Sequence, residues 1–147
     1  MNRRQFVRAS ALLALPVPAL GEAPHVSSTD PLVWSFTKGA PVRPGKVKLE
    51  LPAIAENGHS VAMTVKVESP MSESEYVRAV HLIAEKNPVR DMAVFYLGPH
   101  CPRAEVSSRI RLNGTQRVVA VAELSDGSFW SDAVAIEVRE PACTDGG

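Results

Sequence analysis

The stretch "HSVAMTVKVESP" (residues 59–70) decides the fold, because its apolar and polar side chains alternate without interruption. One face carries Val61, Met63, Val65 and Val67, and the other carries Ala62, Thr64, Lys66 and Glu68. A period of two is that of an extended chain with one buried face, so the stretch predicts a β-strand that Pro70 ends.

Further segments with the features of strands lie on both sides of this one. They are "KVKLELPAIAENG" (46–58), "EYVRAVHLIAEKNP" (75–88), "DMAVFYLGP" (91–99), "AEVSSRIRLNG" (104–114), "TQRVVAVAELSDG" (115–127) and "SFWSDAVAIEVRE" (128–140). Residues 75–88 also fit a helix, and we assign a strand because the neighbouring segments are strands. Asn–Gly and Asp–Gly pairs mark turns between several of them. The sequence therefore predicts an all-β fold, an immunoglobulin-like β-sandwich of about seven strands.

Composition limits the class of protein. The chain has 147 residues, of which 45% are hydrophobic and 22% charged, and this suits one globular domain with an adequate core. The formal net charge is zero, which argues against a nucleic-acid binder or a strongly basic membrane-surface protein.

Residues 1–23 have the character of an export signal. The basic start "MNRRQFVR" precedes the apolar "ASALLALPVPAL", which is too short for a bilayer that needs about 20 residues. The pair Arg3–Arg4 followed by Phe6 is typical of a twin-arginine signal. We expect cleavage near Ala19 to Ala23 and a mature protein in the periplasm, an oxidising compartment.

Residues 24–45 are predicted as an N-terminal extension. Asp30 as N-cap, Pro31 in the first turn and Gly39 as the stop predict a short helix in "DPLVWSFTKG" (30–39), with Leu32, Val33 and Phe36 on one face. The following "APVRPGK" (40–46) is predicted as a connector broken by proline. The sandwich is expected over residues 46–139, and a flexible C-terminal arm over residues 140–147.

No set of catalytic residues is visible. The histidines share no metal-type spacing, and the G-x-S-x-G motif of serine hydrolases is absent. The four are His25, His59, His81 and His100. We therefore expect neither an enzyme nor a metal or other cofactor.

The two cysteines, Cys101 and Cys143, leave two interpretations open. A Cys101–Cys143 disulfide would contribute about 4 kcal/mol through loop entropy and would close a non-catalytic structural or binding module. A free Cys143 in "PACTDGG" (141–147) would instead be a reactive thiol at the end of a loose tail. Measured from Arg139, an extended tail would carry its sulfur about 13 Å.

The strand segments also carry a family resemblance. "PAIAENG" (52–58), "AEKNP" (84–88), "SSRIRL" (107–112) and "VAELSDGSFW" (121–130) resemble SoxY, the sulfur-carrier subunit of the bacterial Sox sulfur-oxidation system, from about Val47 to Val138. The twin-arginine-type signal is similar to that of this family too. The resemblance implies an immunoglobulin-like sandwich paired with a SoxZ subunit.

The same resemblance implies a chemical role for the C-terminal arm. In such proteins a cysteine in Gly-Gly-Cys-Gly-Gly bears thiosulfate-derived sulfur, which is attached oxidatively by a c-type cytochrome. A dimanganese hydrolase then releases sulfate, and a sulfane dehydrogenase oxidises the remaining sulfane sulfur. The carrier catalyses none of these steps. Cys143 matches the arm cysteine by position. The glycines around it are replaced by Pro141, Ala142, Thr144 and Asp145, before Gly146 and Gly147, and Cys101 has no counterpart in the pattern.

Overall fold

The computed structural model describes residues 26–142. The predicted export signal, Cys143 and the rest of the arm to Gly147 lie outside the described residues. The elements in chain order are α1 (Pro31–Thr37), β1 (Val42–Pro44), β2 (Val47–Glu50), β3 (Ile54–Asn57), β4 (Val61–Val67), β5 (Val77–Ala84), β6 (Asp91–Tyr96), β7 (Glu105–Ile110), β8 (Gln116–Leu124) and β9 (Phe129–Glu140).

The strands form two sheets packed face to face, which confirms the predicted all-β sandwich. The larger sheet has the order β1-β9-β8-β5-β6, with β3 also pairing with β9, and the smaller sheet has the order β2-β4-β7. Strand β4, on which the prediction was built, lies at the centre of the smaller sheet. Its buried and exposed residues alternate as the sequence requires.

Two details of the strand count were wrong. Residues 46–58 form two strands that join different sheets, because β2 pairs with β4 whereas β3 pairs with β9. Pro52 lies between them and has no amide hydrogen to continue a ladder. The predicted connector at 40–46 contains β1, which pairs in parallel with β9. The described residues thus form nine strands.

The core has two parts because the larger sheet is covered on both faces. Its inner face packs against the smaller sheet, with Leu82, Val118 and Ile136 among the buried residues. Its outer face, with Ile83 and Val119, packs beneath α1 and the chain around it. This second layer explains why β5 and β8 are buried along nearly their whole length.

Helix α1 has the predicted N-cap. Asp30 Oδ1 accepts a hydrogen bond from the amide of Leu32 at 3.0 Å. The same carboxylate receives two hydrogen bonds from the Arg90 guanidinium, at 2.6 and 3.3 Å, which connect the start of α1 to the turn before β6. The helix ends at Thr37, where Lys38 adopts a left-handed conformation with φ 54° just before Gly39.

The predicted apolar face of α1 is confirmed. Val33 is fully buried, and Leu32 and Phe36 pack against the same cluster. The helix therefore covers the outer face of the larger sheet. Within residues 26–142, the structure contains no helix with the length and hydropathy needed to cross a membrane.

Candidate site at the root of the C-terminal arm

The last strand leads directly to the root of the C-terminal arm. Strand β9 is 12 residues long and ends at Glu140. Pro141 is exposed, whereas Ala142 is buried, with 5% of its surface accessible. Cys143 is the next residue in the chain, so the sandwich holds the arm up to the residue that precedes the candidate thiol.

A group of backbone hydrogen bonds, here named the arm clasp, holds this root. The clasp comprises Gly58, Leu112, Glu140 and Ala142. The Ala142 amide donates to the Leu112 carbonyl at 3.0 Å, the Leu112 amide to the Gly58 carbonyl at 2.8 Å, and the Gly58 amide to the Glu140 carbonyl at 2.7 Å. The three bonds connect the end of β9 with the turn before β4 and the segment after β7.

Gly58 is required in the clasp for its small size. A Cβ atom at this position would lie 2.2 Å from the Leu112 carbonyl oxygen and 3.0 Å from the Ala142 amide nitrogen. The Asn57–Gly58 pair was predicted as a turn, and residues 58–59 do form one, with the His59 amide bonded to Asn57 Oδ1 at 2.7 Å. The turn alone does not explain why position 58 is a glycine. The close approach of Leu112 and Ala142 does explain it.

The clasp shortens the free part of the arm relative to the sequence-based estimate. In that estimate, an extended tail that is free from Arg139 onward carries the sulfur about 13 Å. With Ala142 held, the chain between the anchored root and Cys143 is a single step of about 3.8 Å between Cα atoms. Delivery of the thiol to a distant site therefore requires either a partner that approaches the root or opening of the clasp.

Two polar side chains lie beside the clasp, one next to Gly58 and one next to Leu112. His59 follows Gly58 and Arg111 precedes Leu112, and both side chains are exposed. An Arg111 guanidinium nitrogen lies 3.2 Å from His59 Nδ1. Arg111 was absent from the predicted site and His59 was considered only as a metal ligand. Their meeting depends on the pairing of β4 with β7, which sequence periodicity does not specify.

Cys101 lies towards the opposite end of the β4–β7 pair. The carbonyl of Ala104, in the loop that contains Cys101, accepts from the Val67 amide at 2.9 Å, at the last residue of β4. The arm root is held at Leu112, beyond the other end of β7. A strand of six residues such as β7 spans about 17 Å, whereas disulfide-bonded Cα atoms lie within about 7 Å. An intrachain Cys101–Cys143 bond would therefore require the arm clasp to open.

The remaining histidines within the described residues do not assemble a site. His81 is buried in β5 and stacks on Phe36 with ring centroids 3.8 Å apart. Burial lowers the pKa of the His81 imidazole, and the charges of Asp91 and Glu123 oppose this effect in part. His100 is exposed in the loop after β6. Residues 26–142 contain no group of three or more His, Cys, Asp or Glu side chains placed to hold a metal ion.

Comparison with known families gives one match that covers most of the chain. Residues 34–143 match the family model described as "Sulfur oxidation protein SoxY". The match begins within α1 and extends through the arm clasp to Cys143. Among curated proteins, none matches this sequence.

Solved structures share the fold at low sequence identity. The sulfur carrier protein SoxY from Chlorobium limicola f thiosulfatophilum is 23% identical with a TM-score of 0.62, over 73% of this chain and 88% of that one. A superoxide reductase (neelaredoxin) from Ignicoccus hospitalis is 17% identical with a TM-score of 0.57, over 64% and 80% of the two chains. A putative superoxide reductase from Thermotoga maritima is 15% identical with a TM-score of 0.56, over 71% and 91%. These likenesses concern the sandwich alone.

Proposed function

The chain belongs to the SoxY family of sulfur oxidation proteins, and on this premise we propose that it is a sulfur carrier that holds thiosulfate-derived sulfur covalently on Cys143. The observation that carries the proposal is the family match, which extends to Cys143 itself. The arm clasp supports it, because the clasp anchors the residue before the thiol.

The loading reaction requires an oxidant. The Cys143 thiolate and thiosulfate form a sulfur–sulfur bond, R–S⁻ + S₂O₃²⁻ → R–S–S–SO₃⁻ + 2e⁻, and both electrons pass to a c-type cytochrome. Hydrolysis then gives R–S–S–SO₃⁻ + H₂O → R–S–SH + SO₄²⁻ + H⁺. In this scheme the carrier supplies only the nucleophilic sulfur, which reacts as the thiolate.

The proposed carrier is a non-catalytic subunit that presents its cargo to other proteins. Its proposed partners are a SoxZ-like subunit, the cytochrome that loads Cys143, a sulfate-releasing hydrolase and a sulfane dehydrogenase. We place the mature chain in the periplasm, after export directed by residues 1–23.

The substitutions in the arm define what is particular to this protein. Pro141 fixes its own φ at about −65° and stiffens the root, in agreement with the anchored Ala142 beside it. Asp145 places a carboxylate close in sequence to the sulfur, and a nearby negative charge disfavours the thiolate. We therefore propose that loading depends on groups outside the arm that favour the thiolate.

The experiment is intact-mass analysis of the purified mature protein after incubation with thiosulfate and the oxidising cytochrome. The proposal expects a gain of one S₂O₃ unit in the wild type and in Cys101→Ser, and none in Cys143→Ala. An adduct that persists in Cys143→Ala would overturn the carrier role of that cysteine. A wild-type protein that gains no mass would overturn the carrier function altogether.

A further inference from the structure

We propose that Arg111 and His59 form an anion-binding pair that holds the sulfonate end of the cargo on Cys143 against the root of the arm. This inference rests on the proposed function and names the groups that recognise its cargo. The ligand class is an organic thiosulfonate, R–S–S–SO₃⁻, with one delocalised negative charge on three oxygens.

The position of the pair follows from the arm clasp. Leu112 accepts from the Ala142 amide, and Gly58 accepts from the Leu112 amide, at 3.0 and 2.8 Å. Arg111 and His59 are the chain neighbours of these two acceptors. The pair is thus attached to the two segments that fix the residue before Cys143.

Contact with the pair requires the cargo to reach it from the anchored root. Adjacent Cα atoms are about 3.8 Å apart, so Cys143 begins one such step from Ala142. Arg111 has a long side chain, and the thiosulfonate extends the cysteine by two sulfur atoms before its oxygens. We therefore expect the two groups to meet while Ala142 remains in the clasp.

The hydrogen-bonding chemistry of the pair suits an oxyanion. A guanidinium has no acceptor atom, so in the 3.2 Å contact it is Arg111 that donates and His59 Nδ1 that accepts. When Nδ1 accepts in this way, the ring hydrogen is on Nε2. This leaves the other guanidinium N–H groups and the Nε2–H as donors, and charge-assisted bonds from arginine to an oxyanion are among the stronger ones.

Charge pairing distinguishes Arg111 from Arg139. Arg139, near the end of β9, already contacts Glu56 at 2.9 Å and Glu137 at 3.8 Å. Within residues 26–142, by contrast, Arg111 has no carboxylate within salt-bridge distance. Its charge is therefore available to an anion. The same charge would favour the Cys143 thiolate and offset the effect of Asp145.

The test separates this inference from the loading reaction. Tetrathionate loads a thiolate without any partner enzyme, R–S⁻ + S₄O₆²⁻ → R–S–S–SO₃⁻ + S₂O₃²⁻. A Cys101→Ser background confines the reaction to Cys143, and intact mass verifies the adduct. The matched control is the same protein capped with iodoacetamide, which leaves a neutral adduct on the same sulfur.

The readout is the NMR signal of the Arg111 Nε–H group and of the His59 ring. We expect both signals to shift in the thiosulfonate form, but not in the neutral form. Arg111→Gln should abolish the His59 shift, whereas Arg103→Gln, an equal loss of charge in the Cys101 loop, should leave it unchanged. Equal shifts with the neutral cap, or no shift in a fully loaded protein, would contradict the proposal that Arg111 and His59 bind the sulfonate. Neither result would bear on enzymatic loading, which the mass experiment measures.

Discussion

The amide of Ala142 donates to the carbonyl of Leu112 at 3.0 Å, and this bond fixes the residue that precedes Cys143. The chain leaves β9 and is secured again beside the segment after β7 before the candidate thiol begins. The proposed carrier therefore presents its sulfur from an anchored root, and the arm clasp sets how far that sulfur can travel.

The clasp can be tested at Gly58. Gly58→Ala places a methyl group 2.2 Å from the Leu112 carbonyl oxygen, so backbone must move to accommodate it. Overpacking of this kind typically costs about 1–3 kcal/mol, which we expect in the free energy of unfolding measured with urea. Amide exchange at Ala142 and Leu112 should accelerate as well.

Gly98→Ala is the matched control for this prediction. A Cβ at Gly98 would meet no atom within 4 Å, so its stability should stay near that of the wild type. Equal stability of the two variants would show that the close approach at Gly58 is absent in solution.

The number of free thiols distinguishes the anchored root from a Cys101–Cys143 disulfide. Because Cys101 and the arm root lie towards opposite ends of β7, we expect two free thiols in the purified protein without reductant. Thiol titration under denaturing conditions should count both, and Cys101→Ser should remove one. A linked peptide pair containing Cys101 and Cys143 from the monomer would contradict the anchored root.

The burial of His81, whose ring stacks on Phe36, predicts a pH dependence of stability. Burial lowers the pKa of His81 in the folded state below its ordinary value of 6.5, so the unfolded chain binds the proton more readily. Stability should therefore fall as the pH drops below about 6.5, and the fall should end below the lowered pKa. His81→Leu cannot titrate and should show a smaller loss between pH 7.5 and 5 in urea titrations. An unchanged pH profile in this variant would assign the effect to other groups.

The start of α1 predicts a second effect at lower pH. The hydrogen bonds from Arg90 and from the helix amides lower the pKa of Asp30 below 3.8. Its stabilising contribution is therefore present above about pH 3.8 and is lost as the pH falls through the lowered value. Asp30→Ala removes cap and ion pair and should cost about 1–2 kcal/mol in unfolding free energy at pH 7.

Asp30→Asn separates the two contributions. The amide keeps an acceptor for the Leu32 amide but loses the charge opposite Arg90, so we expect only part of the loss. A double-mutant cycle with Arg90→Gln measures the pair directly. A coupling energy of zero would leave the cap as the only contribution of Asp30.

The sequence was sufficient for the strands and insufficient for the arm root. Alternation identified β4, and the Asp30–Pro31 signals identified α1, because both depend on local periodicity and capping. The split of residues 46–58 between two sheets escaped prediction, since the pairing of β3 with β9 is a long-range contact. The continuous apolar run "VVAVA" (118–122) in β8 indicated that this strand is buried on both faces.

The candidate site, too, could be predicted from the sequence only in part. Cys143 was identifiable from its position and from the family resemblance. The anchoring of Ala142 was not, because it depends on a glycine, a carbonyl and an amide that come from three distant segments. Neither Arg111 nor His59 belongs to a motif, and only the strand pairing brings them together.

The most direct measurement is peptide mass spectrometry of the protein isolated from its own cells during growth on thiosulfate. Trypsin separates the two cysteines, because cleavage after Arg90, Arg103 and Arg139 places them in different peptides. We predict a sulfur adduct, such as S₂O₃ or an added sulfur atom, on the peptide that contains Cys143, with the Cys101 peptide unmodified. A Cys143 peptide that carries no sulfur under these conditions, or an adduct confined to Cys101, would contradict the carrier function.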